Sequence, residues 1–362
     1  MAQIILENLS KHFGTVKAVD QVDLTIQDGE FFALLGPSGC GKTTTLRMIA
    51  GLEEPTRGKI QIGPNDVTEQ SPRERDVAMV FQDYALYPHM TILENIGYPL
   101  KVRSVKKSEL RERVTEAAKS LNIDHLLERR PGQLSGGQQQ RAAVARAIVH
   151  HAQVFLFDEP LSNLDAKLRL DARGFLKHLQ NELGITAVYV THDQAEAMAL
   201  ADRIAIMDRG KVVQVGTPQE VYNKPRTVFV ASFLGSPPMN LLPCQLDLPN
   251  KQVLISGSPL SLADAPQWPD VARTAQDGED MVLGIRPEHI TLHKEPVPMS
   301  FPGEMYVTQP LGAEILLLLQ VGKNTISVRL FTDVPPEYEG RMWIHPDPRR
   351  MFLYRADGEL LA

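Results

Sequence analysis

The sequence contains little cysteine, no excess of basic residues and no long apolar run. Cys40 and Cys244 are the two cysteines among 362 residues, far fewer than a secreted disulfide framework needs, which favours a reducing compartment such as the cytosol. Lys and Arg together number 38 against 44 Asp and Glu, and the net charge is −6. Because no overall positive field attracts polyanions, we expect no nucleic-acid binding, and any polyanion must be held locally.

No segment has the length or composition of a membrane span. Apolar runs such as Ile315–Leu319 fall far short of the ~20 residues that a spanning helix needs. The N-terminal residues 1–10 lack a basic segment followed by a long apolar one, so we expect no secretory signal. If the protein works at a membrane, we expect another chain to span it.

Length and proline distribution predict two domains. At roughly 150 residues per domain, 362 residues suit two cores better than one. Of the 26 prolines, 16 follow Ser236, as do both tryptophans, Trp268 and Trp343. We therefore predict domains of residues 1–235 and 236–362.

The first predicted domain has an α/β pattern. Short apolar runs alternate with longer helical patterns, and runs that are apolar on both faces are typical of a mostly parallel sheet covered by helices. These runs are Phe31–Leu35, Ala78–Phe81, Val154–Phe157, Thr186–Val190 and Arg203–Met207.

The second predicted domain has an all-β pattern. Its runs are short, alternate in polarity and are separated by Pro, Gly and Asp, which predicts a small antiparallel β-barrel. These runs are Gln252–Ser256, Met281–Ile285, Glu314–Gln320 and Thr325–Leu330.

One segment matches the phosphate-loop pattern G-x-x-x-x-G-K-[ST] between a strand and a helix. Its glycines allow main-chain N–H groups to converge on a phosphate, Lys42 supplies positive charge, and Thr43 offers a hydroxyl to Mg²⁺. The alternative, a glycine-rich turn with a surface lysine, is disfavoured by both flanks. Cys40 lies beside Lys42 and the helix N-terminus, so we expect a stabilised thiolate. The segment is Gly36, Pro37, Ser38, Gly39, Cys40, Gly41, Lys42 and Thr43.

Two adjacent carboxylates follow the predicted strand Val154–Phe157. Adjacent residues on a strand point to opposite faces, so Asp158 and Glu159 are expected to have different tasks. We predict that Asp158 holds the Mg²⁺ shell and that Glu159 activates water as a general base. Two solvated acids at a strand end are the alternative.

A second anion site is predicted at Leu134, Ser135, Gly136, Gly137 and Gln138. Ser135 and Gln138 have the S-x-x-Q spacing of a capping box, which places a helix start at the two glycines. The N–H groups of such an end are open to an anion. An ordinary helix start is the alternative for this segment taken alone.

The order of these motifs resembles that of the ATP-binding cassette (ABC) ATPases. Residues 3–235 are similar to the ATPase subunits of carbohydrate importers such as the maltose importers, and the resemblance implies a P-loop cassette with a helical subdomain at about 83–155. Residues 235–240 and 283–289 resemble the OB-like regulatory domain of those subunits. Gln139 departs from the family, where arginine is common. The matching stretches are 36–60, 80–91, 134–141, 158–169 and 189–218.

The resemblance implies roles for residues that the motifs alone do not assign. Phe13 resembles the aromatic residue that stacks on adenine, with a buried packing residue as the alternative. Gln82 resembles the residue that contacts Mg²⁺ and the attacking water, and His192 the switch histidine at the γ-phosphate. A purely structural role is the alternative for both. The implied ATP-binding set also includes Thr44.

Two implied interfaces complete the resemblance. The dimer loop, Ser162, Asn163, Leu164 and Asp165, resembles the loop at which two cassettes touch. Residues 84–91 resemble the groove that receives a helix of the membrane subunit, with an ordinary loop as the alternative.

The resemblance implies an ATP hydrolase with ATP and Mg²⁺ as cofactors, working as a homodimer that closes head to tail. Each site would combine the phosphate loop, Gln82, Asp158, Glu159 and His192 of one copy with Ser135, Gly136 and Gly137 of the other. The implied partners are integral membrane permease subunits and, indirectly, a solute-binding protein, with the protein peripheral at the cytoplasmic face of the membrane. The expected solute is a sugar, oligosaccharide, polyol or sugar-type compatible solute.

Two alternatives remain open at this point. A soluble ABC ATPase of translation or DNA repair is one, although a single cassette without a long coiled-coil insertion disfavours it. The other is a transporter ATPase whose C-terminal domain also binds a regulatory protein.

Overall fold

The computed structural model describes residues 2–150, 152–334 and 338–361. The chain divides into two compact units, Met1–Gln219 and Glu220–Ala362. Each unit has its own hydrophobic core.

The first unit contains the alternating strands and helices that the sequence predicts. In chain order its elements are β1 (Ile4–Phe13), β2 (Val16–Ile26), β3 (Phe31–Leu35), α1 (Lys42–Ala50), β4 (Arg57–Ile62), β5 (Asn65–Asp66), β6 (Val77–Val80), α2 (Ile92–Val102), α3 (Lys107–Ser120), α4 (Gly136–Ile148), β7 (Val154–Asp158), α5 (Ala166–Leu183), β8 (Thr186–Thr191), α6 (Gln194–Leu200), β9 (Arg203–Asp208) and β10 (Lys211–Gly216).

The main sheet has the order β10-β9-β3-β8-β7-β6 and is parallel except for the β10–β9 pair. Every residue of β7 is buried. Phe155 and Phe157 pack into the core on one face, whereas Val154 and Leu156 pack into the core on the other. The predicted parallel sheet with two apolar faces is therefore confirmed.

A second, antiparallel sheet with the order β2-β1-β4-β5 was not predicted from the sequence. The register between β1 and β2 shifts between Leu6 and Leu9 and again before Lys11. Such irregularities break the two-residue alternation by which a half-buried strand is recognised. The sheet buries Ile4 and Leu9 in the same core as Phe32 of β3.

Helices α2, α3 and α4 form a packed group within residues 92–148. Thr91 caps α2 with a reciprocal capping box to Glu94. The small residues Ala142 and Ala145 of α4 are buried in this group, which lets neighbouring helices approach closely.

The second unit is predominantly antiparallel β-structure. Its elements are α7 (Pro218–Asn223), which begins before the division, α8 (Val228–Phe233), β11 (Asn240–Asp247), β12 (Gln252–Ile255), β13 (Ser258–Ser261), α9 (Trp268–Thr274), β14 (Asp280–Ile285), β15 (Ile290–His293), β16 (Phe301–Pro310), β17 (Ile315–Val321), β18 (Asn324–Leu330), β19 (Arg341–Pro346) and β20 (Met351–Arg355).

These strands form sheets of order β13-β12-β11-β14-β20 and β15-β19-β16-β17-β18 around a common core. Strand β17 alternates strictly between buried and half-buried residues, as the sequence predicts for a sheet with one face on a core. Among the described residues, no helix is both long and apolar enough to cross a membrane.

The division between the units falls sixteen residues before the predicted boundary at 235/236, because residues 220–235 pack within the second unit. The guanidinium of Arg286 donates to the carbonyls of Tyr222 (2.6 and 3.2 Å) and Leu234 (2.7 Å) and lies 3.5 Å from the Tyr222 ring centroid. Val228 N donates to Gly358 O at 2.8 Å. Arg286 is buried, and the carbonyls of Tyr222 and Leu234 satisfy its hydrogen-bonding groups. These bonds hold both short helices against the β-structure.

We expect truncation to reveal this packing. A chain that ends at Gln219 should be soluble and bind MgATP, whereas a chain that ends at Gly235 should expose Val230 and Leu234, both fully buried in the intact protein, and bind an apolar dye. Dye fluorescence and gel filtration of the two chains measure the difference. Equal dye binding by both, with protected α8 amides in the longer chain, would contradict this assignment.

Candidate functional site

The predicted site residues follow neighbouring strands of the parallel sheet. Leu35, which ends β3, pairs with Thr191, which ends β8, and Asp158, which ends β7, pairs with Val190. Val80, which ends β6, pairs with Phe157. Because the carboxyl ends of these strands align, the segments that follow them meet at one edge of the sheet.

The phosphate loop links β3 to α1 in a shape that requires glycine. A Cβ atom on Gly36 would lie 2.3 Å from the Met207 carbonyl oxygen, and one on Gly41 would lie 2.3 Å from that of Ala18. Gly41 is the N-cap of α1 and has φ +104°. Neither position can carry a side chain, so the backbone can bend around a ligand at the start of the helix.

Lys42 lies across the phosphate loop. Its Nζ donates to the carbonyls of Gly36 (2.8 Å) and Pro37 (2.9 Å) and lies 3.8 Å from Cys40 Sγ. The expected stabilisation of the Cys40 thiolate is wrong: burial raises the pKa of this thiol and outweighs the nearby charge of Lys42. The position of Cys40 beside a helix start in the sequence did not reveal that this residue is buried, at 3% exposure.

Thr43 and Asp158 meet although 115 positions separate them. Thr43 Oγ1 donates to Asp158 Oδ1 at 3.0 Å, and Asp158 is buried. Burial raises the pKa of Asp158, and the Thr43 hydroxyl opposes that effect. A hydroxyl beside a carboxylate fits Mg²⁺, which prefers oxygen ligands and completes its shell with phosphate and water.

Glu159 and His192 form the second pair at this edge. His192 Nδ1 lies 3.0 Å from Glu159 Oε2. Strand β7 ends at Asp158, and Glu159 has φ +46°, so its direction is set by a left-handed backbone and not by the strand alternation used in the sequence argument. Non-glycine residues with this backbone carry strain and cluster at functional sites.

His192 lies two residues before α6, whose N-terminus is capped. The Asp193 carboxylate accepts from the N–H groups of Ala195 (2.8 Å) and Glu196 (3.2 Å) at the start of α6. The Glu196 side chain takes no part in this cap. Its carboxylate is buried and accepts hydrogen bonds from the hydroxyls of Tyr189 and Thr191.

Gln82 is exposed and follows β6, and its main-chain oxygen accepts from Asn163 Nδ2 of the dimer loop at 2.9 Å.

Phe13 ends β1 and is 49% exposed, with Lys11 Nζ 5.0 Å from its ring centroid. This exposure disfavours a core-packing role for Phe13. Thr44 lies half-buried in the first turn of α1.

The segment Leu134–Gln138 starts α4, as the capping-box spacing predicts. Gln138 N donates to Ser135 Oγ, and Ser135 N donates to Gln138 Oε1. A Cβ on Gly136 would lie 3.2 Å from Leu164 Cδ2 of the dimer loop. Within the described part of the chain, no hydrogen bond or ion pair joins this segment to the phosphate loop.

Comparisons with known proteins place this geometry in a family. The model described as "ABC transporter" matches residues 19–162, "MalK OB fold domain" matches 235–290 and "TOBE domain" matches 283–353. The sulfoquinovosyl glycerol transport ATP-binding protein of Agrobacterium fabrum is 48% identical over 99% of both chains. The trehalose/maltose import ATP-binding protein of Thermococcus litoralis is 49% identical over 90% of both chains.

The chain belongs to the ABC transporter ATP-binding proteins. A solved dimeric ABC cassette in a post-hydrolysis state with ADP and Pi is 34% identical to it, with a TM-score of 0.54 over 59% of this chain and 98% of the other. The predicted family, the ATPase class and the cassette with an OB-like C-terminal region are confirmed.

Sequence reasoning missed two arginines of this ABC ATPase. Arg146, near the end of α4, donates to the carbonyls of Tyr84 (2.8 Å) and Ala85 (2.6 Å), just after Gln82. Arg169 of α5 contacts the dimer loop and the start of α6. Each is a single basic residue in a helix, and such residues usually lie on solvated faces, so no sequence signal distinguished them.

Proposed function

We propose that two copies of this ABC ATPase close head to tail around two MgATP molecules, and that hydrolysis drives uptake of a sugar-type solute. Each site combines the phosphate loop, Gln82, Asp158, Glu159 and His192 of one copy with the Ser135–Gly137 helix start of the other. The observation that carries the proposal is the Glu159–His192 pair at 3.0 Å, beside the Thr43–Asp158 pair at 3.0 Å.

Each pair has a distinct task. Thr43 and Asp158 would hold Mg²⁺, and the ion would neutralise charge on the phosphate oxygens. Glu159 accepts the proton of the attacking water, and His192, whose other ring nitrogen is free of Glu159, contacts the γ-phosphate. Gln82 orients the water, and Phe13 stacks on the adenine.

Lys42 and the segment Leu134–Gln138 account for phosphate binding from two sides. The Nζ of Lys42 exchanges its bonds to loop carbonyls for bonds to the phosphates. The Ser135 hydroxyl and the N–H groups at the start of α4 face the γ-phosphate of the opposing copy. The dimer loop, Ser162–Asp165, meets its counterpart between the two sites.

The membrane partner is a permease that inserts a helix at residues 84–91. Ala85 and Tyr87 of this range line a groove of about 450 Å³ together with Tyr98 and Arg146 among others. Aromatic and arginine side chains of this kind are favoured at protein interfaces. A protein that binds such a permease is peripheral to the membrane. We assign it to the cytoplasmic face, with a solute-binding protein that delivers the solute to the permease.

The nucleotide-binding region lies within residues 1–235, with a helical subdomain at about 83–155, and residues 236–362 are regulatory. The short helices of residues 220–235 are structurally part of the second unit. We also propose that the second unit binds a regulatory protein.

The solute class is inferred from relatives named for glycosides, disaccharides and glycerol 3-phosphate. The test is reconstitution of the chain with its copurified membrane subunits and solute-binding protein in lipid vesicles. We expect ATP turnover to rise with maltose, trehalose or glycerol 3-phosphate, and not with amino acids. Stimulation by amino acids alone, or failure to retain a membrane subunit, would contradict the proposal.

A further inference from the structure

Arg169 joins two parts of the site that otherwise belong to different elements. It lies in the first turn of α5, directly after the dimer loop, and its Nη2 donates to the Leu164 carbonyl at 3.1 Å. Its Nη1 donates to Asp193 Oδ2 at 3.4 Å. One planar side chain therefore spans from the dimer loop to the residue that follows His192.

The acidic residues at the start of α6 depend on this arginine for charge compensation. Arg169 Nε lies 3.9 Å from Glu196 Oε1, whose side chain is 4% exposed. Asp193 holds the N-terminus of α6 by accepting from two N–H groups. Loss of the cation would leave a buried carboxylate without its nearest counter-charge, and α6 would shift.

The Arg169 guanidinium also borders the pair of Glu159 and His192. A cavity of about 20 Å³ is lined by residues of the dimer loop, of the strand ends and of α6: Glu159, Ser162, Arg169, Thr191, His192, Asp193 and Glu196. Arg169 Nε is buried there and has no hydrogen-bond partner within the described residues. Ser162 Oγ donates to the Glu159 carbonyl at 2.9 Å, so the dimer loop also contacts the backbone of Glu159.

We propose that Arg169 is a positioning residue that couples the dimer loop to His192. When two copies meet at their dimer loops, a shift of Leu164 moves the guanidinium, and through Asp193 it moves the start of α6 and His192 with it. Lysine replaces this coupling only in part, because one ammonium group cannot hold both the Leu164 carbonyl and the Asp193 carboxylate in the fixed geometry of the guanidinium. This inference rests on the proposed function, since it assigns His192 to the γ-phosphate.

The test compares Arg169→Gln, Arg169→Lys and a matched control, Lys177→Gln, in the full chain. Lys177 lies on the same helix and pairs with Asp202 at 2.8 Å, away from the dimer loop. We expect Arg169→Gln to bind a fluorescent ATP analogue with Mg²⁺ as the parent does but to lose ~10-fold in kcat, because small misplacements of reacting groups are costly. Lys177→Gln should retain the parent kcat.

A double-mutant cycle separates coupling from general destabilisation. If Arg169 acts through His192, Arg169→Gln should cause no further loss in a His192→Ala chain, measured by single-turnover hydrolysis of radiolabelled ATP. Additive losses, or a parent-like kcat for Arg169→Gln, would overturn the coupling. If Arg169→Gln does not fold, Arg169→Lys takes its place in the cycle, with an expected loss of about threefold from misplacement. A parent chain that does not hydrolyse MgATP would instead refute the proposed function.

Discussion

The Glu159→Gln variant is expected to bind MgATP, to hydrolyse it ~10²- to 10⁴-fold more slowly than the parent, and to accumulate as a closed pair of chains with two trapped ATP molecules. The amide keeps the shape of the carboxylate but cannot accept the proton of water. ATP binding persists because it depends on Lys42, the loop amides and the Thr43–Asp158 pair, all of which the substitution leaves in place. Light scattering with and without MgATP measures the change in mass.

One control variant makes this result specific. Glu182→Gln removes an exposed carboxylate of α5, 63% exposed at its side chain, and should leave turnover unchanged. If Glu159→Gln turns over ATP at a rate near that of the parent, Glu159 is not the general base.

The cross-chain site has its own control. Adding Ser135→Arg to Glu159→Gln should prevent the doubling of mass, because the arginine fills the space of the opposing γ-phosphate. Ser135→Arg also removes a helix cap, so Thr91→Arg, which removes an equivalent capping box at α2, is the matched comparison and should leave the doubling intact. Doubled mass in the Ser135→Arg chain would show that the head-to-tail arrangement is wrong.

The Lys42→Ala variant is expected to weaken MgATP binding on the order of 10²-fold, about 3 kcal/mol, the size of a lost charge-assisted contact in a desolvated site. Lys42 is buried and its Nζ already lies at the phosphate loop, so alanine removes the cation that contacts this loop. Titration of a fluorescent ATP analogue measures the affinity.

Lys59→Ala, which removes an exposed lysine of β4, controls for the change in net charge and should bind as the parent does. The thermal midpoint of Lys42→Ala in the absence of nucleotide should fall modestly, because the bond from Lys42 Nζ to the Gly36 carbonyl is buried and its loss leaves that acceptor unpaired. Parent-like affinity in a folded Lys42→Ala chain would remove Lys42 from the proposed binding site.

Local patterns in the sequence predicted several parts of this protein correctly. The phosphate loop lies between β3 and α1 as its flanks indicate, and Ser135 and Gln138 form the capping box that their spacing predicts. The predicted apolar runs form strands of a parallel sheet with two buried faces. These features depend on residues a few positions apart, whose backbone preferences and periodicity can be read directly from the sequence.

The roles of Phe13, Gln82 and His192 came from the family resemblance and not from such patterns. A single aromatic, amide or imidazole side chain has no spacing that distinguishes ligand binding from packing. The exposure of Phe13 and the contact between His192 and Glu159 supply physical support that the sequence could not.

By itself, the sequence determined the fold class and the chemical groups available for phosphate binding, because both follow from local spacing. Only the tertiary structure decided which groups meet: Thr43 with Asp158, Glu159 with His192, and Arg169 with both Leu164 and Asp193. It also decided that Cys40 is covered and that residues 220–235 pack within the second unit. These outcomes depend on the order and register of strands far apart in the chain, since sheet pairing is non-local and a one-residue slip would turn each side chain to the other face.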